Sequence, residues 1–112
     1  MIDKEKFRDN FKYYDKGIVL QVIDMFLAGY PDRLKELQAN INTMDFVKID
    51  HNAHSLKGEV AYMSSEVSEL ARVMEHKGKD KDGNGLQDTF DKLRSGTLIL
   101  AGELNQMRTE YK

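Results

Sequence analysis

The chain of 112 residues has no cysteine, no tryptophan and a single proline, Pro31. Without cysteine, disulfides, thiolate nucleophiles and cysteine-ligated zinc are excluded. No apolar run approaches the ~20 residues needed to span a bilayer. The N-terminal stretch MIDKEKFRDNFKYY is charged and aromatic, with no apolar signal-peptide core, so a cytoplasmic location is expected. Strong charge of either sign is also missing. The formal net charge is −2 and the sequence pI is ≈ 5.9, which offers no basic face for nucleic acid. With 40% hydrophobic and 32% charged residues, the composition suits a soluble globular domain rather than a disordered or membrane-embedded chain. The length fits one domain, residues 1–112, with no room for a second core. One proline and few β-branched runs favour an all-α chain.

Apolar spacing predicts five helices. The first spans Lys4 to Tyr14, with Phe7 and Phe11 one turn apart. The second begins near Ile18, with a stripe of Ile18, Val22, Phe26 and Tyr30 flanked by Val19, Ile23 and Leu27. Pro31 either kinks it or starts a fresh helix, and Leu34, Leu37 and Ile41 continue the stripe to a turn at Asn42-Thr43. Asp45 is a candidate N-cap for the third, in which Phe46, Ile49, Ala53, Leu56, Val60 and Met63 recur at three- and four-residue steps. Ser64 and Ser65 form a turn and cap, and a fourth helix turns Val67, Leu70, Ala71 and Met74 inward. The polar loop GKDKDGNG, Gly78 to Gly85, leads to a last helix from Leu86 to about Tyr111. The expected architecture is an antiparallel four-helix bundle with a short additional N-terminal helix.

His54 stands apart from this core. At about 100° per residue it points about 125° away from the mean direction of the third helix's seam. Lys57 and Gly58, three and four residues on, neighbour it on the helix surface. An ammonium beside an imidazole disfavours its protonation, but suits a ring that must hold an anionic phosphoryl group. Gly58 costs a helix interior about 1 kcal/mol relative to alanine, and what it returns is open space over His54. Asp50, one turn earlier, either holds the ring or is a solvated charge. His51 and His76 read as surface residues.

Ala53-His54-Ser55-Leu56-Lys57-Gly58 resembles the A-H-x-L-K-G signature of histidine-containing phosphotransfer (HPt) domains, the carriers of multistep phosphorelays. Asp45-Phe46, the stretch from Ile23 through Pro31 to Leu37, and Leu70-Ala71 with Met74-Glu75 are similar to the family's flanking helices. The resemblance implies a phosphorelay intermediate. It would accept a phosphoryl group on His54, through Nε2, from a receiver-domain aspartyl phosphate and pass it to another receiver. It implies a phosphoryl carrier without autonomous kinase activity, in which Lys57 stabilises the phosphate and Gly58 gives access. No cofactor is expected on this chain, the divalent metal belonging to the receiver. The implied partners are response-regulator receiver domains, with a hybrid histidine kinase as a further candidate; a monomer is expected. Receivers would dock around His54, with Phe7, Phe11, Ile18 and Gln21 as candidate contacts. A chain starting at Met1 suggests a free-standing carrier, an excised domain being the alternative. Departures from the family pattern are Glu59 and Val60 in place of small residues, Ser64 in place of glycine, and Asn52 at an apolar position. Glu59 lies about 140° around the helix from His54, where it would bear on packing or on which receivers are accepted.

Three other readings compete. Asp80, Asp82, Asn84 and Asp91, in the 80–91 loop with Gly83 and Gly85, resemble an EF-hand calcium loop. Position eight is Gln87 and position twelve lacks the usual glutamate. A histidine-kinase dimerisation helix would place an acidic residue after the histidine, where Ser55 stands. A non-catalytic helical interaction module would leave His54 without chemistry.

Overall fold

In the computed structural model, which describes residues 2–112, every described element is helical. They are α1 (Lys4–Phe11), α2 (Lys16–Asn42), α3 (Phe46–Val60), α4 (Ser65–Lys79) and α5 (Leu86–Met107), ending in a 3-10 turn at Arg108–Tyr111. Each of the first four helices starts on a side chain that accepts a backbone N–H. Asp3 caps Lys6, Asp15 caps Gly17, Asp45 caps Lys48 and Ser64 caps Val67. The Asp45 and Ser64 caps are those expected from the sequence.

Helices α2 to α5 form the antiparallel bundle. Arg33 meets Glu59 and Asn40 meets Asn52 between α2 and α3. Gln38 meets Gln87, and Asp24 meets Arg108, down the long edge between α2 and α5. The α3–α4 contact is the most extensive in the bundle. Its core is a continuous apolar stack through Ile23, Leu37, Ile49, Leu56, Met74, Phe90, Leu93, Leu100 and Leu104. At 1.5 Å per residue, the 27-residue α2 is about 40 Å long, matching the 42 Å long axis of the molecule. None of the described helices is long and apolar enough to cross a membrane.

α2 runs through Pro31 without a break, so neither a new helix nor a second start occurs there. Proline removes one ladder hydrogen bond. Ile23 and Phe26 before it, and Leu34, Leu37 and Ile41 after it, are all buried, so both halves pack into the core. The predicted stripe of α2 is out of phase at its start, where Val19 and Ile23 are buried and Ile18 is exposed. Both i and i+1 are apolar at 18/19 and 22/23, so spacing alone could not choose between them. α1 ends at Phe11 rather than Tyr14. It closes the end of the bundle: Phe7 is fully buried, within aromatic contact of Phe11 and Tyr111, and Asp3 N donates to Met63 O at 2.8 Å.

Two close fits fix α3 between its neighbours. Asn52 is buried and donates through Nδ2 to Asn40 Oδ1 at 2.7 Å, which accounts for a polar residue at an otherwise apolar position. On the other side, Gly78 of α4 lies against the α3 backbone. A Cβ there would stand 2.6 Å from Asp50 N and 2.9 Å from Phe46 O.

Candidate functional site

His54 sits midway along α3 with 67% of its side chain exposed, on the outward face that helical spacing predicts. Its ring is held from below by a residue of the neighbouring helix. Nδ1 lies 2.5 Å from Glu75 Oε2, and Glu75, on α4, is only 3% exposed. The other carboxylate oxygen receives Lys57 Nζ at 3.1 Å and lies 3.6 Å from Lys79 Nζ. Burial, the largest single influence on Glu75, works against ionisation. The hydrogen bonds from Lys57 and His54 and the charges of Lys57 and Lys79 together outweigh it, holding the carboxyl below the usual carboxylate range.

That ionised carboxylate settles the tautomer of the ring. A carboxylate has no proton to give, so Nδ1 must donate, and the lone pair of the neutral imidazole is left on Nε2. No other described side chain hydrogen-bonds to the ring, and 67% of the side chain is open to solvent. The charge count around it is simple. Two ammoniums and one carboxylate leave one surplus positive charge beside the ring.

Gly58 is exposed, with nothing within 4 Å of the place a Cβ would occupy. Packing therefore does not require glycine there, and the surface beside His54 is left low. Lys57 is half-buried and already bound to Glu75. The expected cation is thus present, but as one member of a four-residue cluster rather than as a lone neighbour.

Asp50 does not hold the ring; Glu75 does. Glu75 was hidden from one-dimensional reading because it lies 21 residues from His54. A signal existed, however. Val67, Ala71, Met74 and Gly78 are the buried face of α4, and Glu75 lies on that face, one turn past Ala71. A carboxylate on a buried stripe must be paired. Lys79 gave no comparable signal. His51 and His76 are exposed, as expected.

The candidate docking residues divide. Ile18 and Gln21 are exposed, whereas Phe7 is fully buried and Phe11 half-buried. Phe7 belongs to the core of the α1 end and is removed from the contact set. The apolar surface actually open to a partner includes Tyr14, Ile18, Met25 and Tyr62.

The geometry lends the calcium reading no support. Among the described residues, no group of three or more His, Asp or Glu side chains converges. Asp82 faces Lys77 Nζ at 3.4 Å and accepts from Asn84 N. Asp91 accepts from Gln87 Nε2 at 3.0 Å, and Asp80 is the C-cap of α4. A cation, Lys77, occupies the loop where a metal would need free oxygens; its Nζ donates to Asn84 O at 2.7 Å.

This all-helical bundle has counterparts among known proteins. The family model of the Hpt domain matches residues 21–110. No curated protein matches the sequence. Among solved structures, histidine-containing phosphotransfer protein B (HptB) from Pseudomonas aeruginosa PAO1 shares the fold with a TM-score of 0.90. It is 18% identical, and the match covers 99% of this chain and 96% of that one. The family match spans most of the chain: the chain belongs to the Hpt domain family.

Proposed function

We propose that His54 is the residue that carries the phosphoryl group, accepting it on Nε2 from the aspartyl phosphate of a receiver domain and passing it to a second receiver. The observation that carries this reading is the Nδ1–Glu75 hydrogen bond. It supports a nucleophilic Nε2 on a ring that is exposed yet oriented.

In the forward step the phosphorus–oxygen bond to the receiver's aspartate breaks and a phosphorus–nitrogen bond forms at Nε2. The aspartate leaves as a carboxylate. The ring, still protonated at Nδ1, becomes cationic, and Glu75 lies against the nitrogen that carries the proton, stabilising that charge. The phosphoryl group brings about two negative charges, which Lys57 and Lys79 are within reach to balance. Such transfer depends on positioning and charge stabilisation more than on covalent assistance from the carrier. The reaction needs no cofactor of this chain, any divalent ion being the receiver's. The carrier is a phosphocarrier rather than a kinase, and we read it as a cytoplasmic monomer.

The test is transfer from receivers charged with a radiolabelled phosphoryl group. Wild-type chain becomes labelled, the label is acid-labile and alkali-stable, and His54→Gln takes up none. Label that persists in His54→Gln refutes the assignment.

A further inference from the structure

Around α3 from His54, the exposed surface continues toward α2. Between α2 and α3 lies a groove of about 290 Å³, lined by Val22, Met25, Phe26, Gly29, Arg33, Glu59 and Met63. Its walls are low and apolar. Met25 is 73% exposed, and a Cβ on Gly29 would touch nothing within 4 Å. At its end nearer His54 stands one ion pair, Arg33 Nη2 to Glu59 Oε1, at 2.7 Å. The pair is neither buried nor free, with side chains 26% and 40% exposed respectively.

Distance decides whether a partner must meet it. Glu59 is five residues from His54, about 7.5 Å along α3 and about 140° around it, which places the two side-chain ends roughly 13 Å apart. A stable interface buries about 800 Å² on each partner, a patch of roughly 16 Å radius. A receiver with its phosphoaspartate on His54 Nε2 therefore reaches the pair at the edge of its footprint, and with it the near end of the groove. Covering a charged pair is selective: a partner either matches it or leaves it desolvated and unmatched. Glu59 is the more exposed of the two, and only its Oε1 is engaged by Arg33. Arg33 Nε is buried without an acceptor, so its hold on Glu59 rests on Nη2.

We propose that Glu59, held by Arg33, is a specificity-determining residue that accepts a hydrogen bond from a basic side chain of the receiver through its Oε2, while the groove beside it takes an apolar side chain of the same partner. This rests on the phosphotransfer reading above. It concerns partner choice and not the chemistry at His54.

The experiment compares wild type, Glu59→Gln and the exchanged pair R33E/E59R. Gln keeps an oxygen for Arg33 and removes only the charge; the exchange keeps an ion pair and reverses its polarity. Each is phosphorylated by several charged receivers that label wild type. Each is also phosphorylated by phosphoramidate, a donor too small to cover the groove, which loses ammonia as the phosphorus–nitrogen bond to Nε2 forms. The expected result is a rise in KM of roughly tenfold for at least one receiver in both variants. The kcat for that receiver, the phosphoramidate rate and the melting temperature should stay close to wild type. If KM for every such receiver stays within twofold, or if phosphoramidate labelling falls in parallel, the inference is overturned and the pair merely ties α2 to α3. If no receiver labels even the wild type, the phosphotransfer reading itself has failed, and this inference fails with it.

Discussion

Replacing Glu75 by alanine tests the site at its least visible member. The substitution removes the acceptor of Nδ1 and the anion shared by Lys57 and Lys79. Stranding a buried charge is costly, but Lys57 and Lys79 are 28% and 52% exposed and turn to water instead. Each lost contact is then worth about 1 kcal/mol at most. A loss of about 2 kcal/mol in stability is expected, or roughly 8 °C in Tm for a domain of this size. Transfer should suffer differently. Without its acceptor the ring divides among two tautomers and several orientations, and a tenfold fall in the productive fraction corresponds to about 1.4 kcal/mol. Lost stabilisation of the cationic ring adds about 1 kcal/mol, so kcat should fall roughly fiftyfold. KM should hardly change, because the buried Glu75 is beyond a partner's reach. Rapid-quench transfer from a charged receiver measures both constants, and nitrogen-15 shifts of the ring report the tautomer directly. Glu75→Gln retains an oxygen for Nδ1 and should fall between. A Glu75→Ala chain that transfers within threefold of wild type, or that shifts KM alone, refutes the orienting role.

Gly58→Ala should raise stability by about 0.5–1 kcal/mol, since helical alanine meets nothing there. It should also slow transfer from receivers, and calorimetry paired with transfer kinetics would show the two moving in opposite directions. Lys57→Ala leaves Glu75 with Lys79 and His54. The expected outcome is a shorter phosphohistidine lifetime or slower transfer from an intact bundle, read from label decay and circular dichroism. The stability contributed by Glu75 should depend on acidity. Its folded carboxyl titrates below its ordinary value of 4.5, so in that window the unfolded chain binds more protons. The contribution is complete above pH 4.5 and lost as pH falls through the folded value. The gap in Tm between wild type and Glu75→Gln should therefore narrow on acidification, and thermal melts across pH 3–7 check it.

Much of this architecture is legible in one dimension, for identifiable reasons. The seam of α3 recurs at three- and four-residue steps, which sets its phase, and Ile49, Ala53, Leu56, Val60 and Met63 are all buried. At the start of α2, adjacent apolar residues leave the phase open, and the choice falls to packing against α3 and α5. Capping aspartates and serines act within three residues and are visible locally. The outward direction of His54 follows from the same helical geometry that buries its neighbours. Its partner does not, because the Glu75 contact depends on the rotation and height of a different helix. The sequence shows a charged residue on an inward face, and only the assembled bundle says which ring it meets.

That height is set by contact between main chains. One turn past Glu75, Gly78 lets α4 rest directly on the α3 backbone at Phe46 and Asp50, one turn before His54. Any side chain at this point would act as a spacer, lifting α4 and drawing the carboxylate away from the imidazole. The alignment of the imidazole is thus governed by a residue that does not touch it, and the tolerance of the device is the thickness of one methyl group.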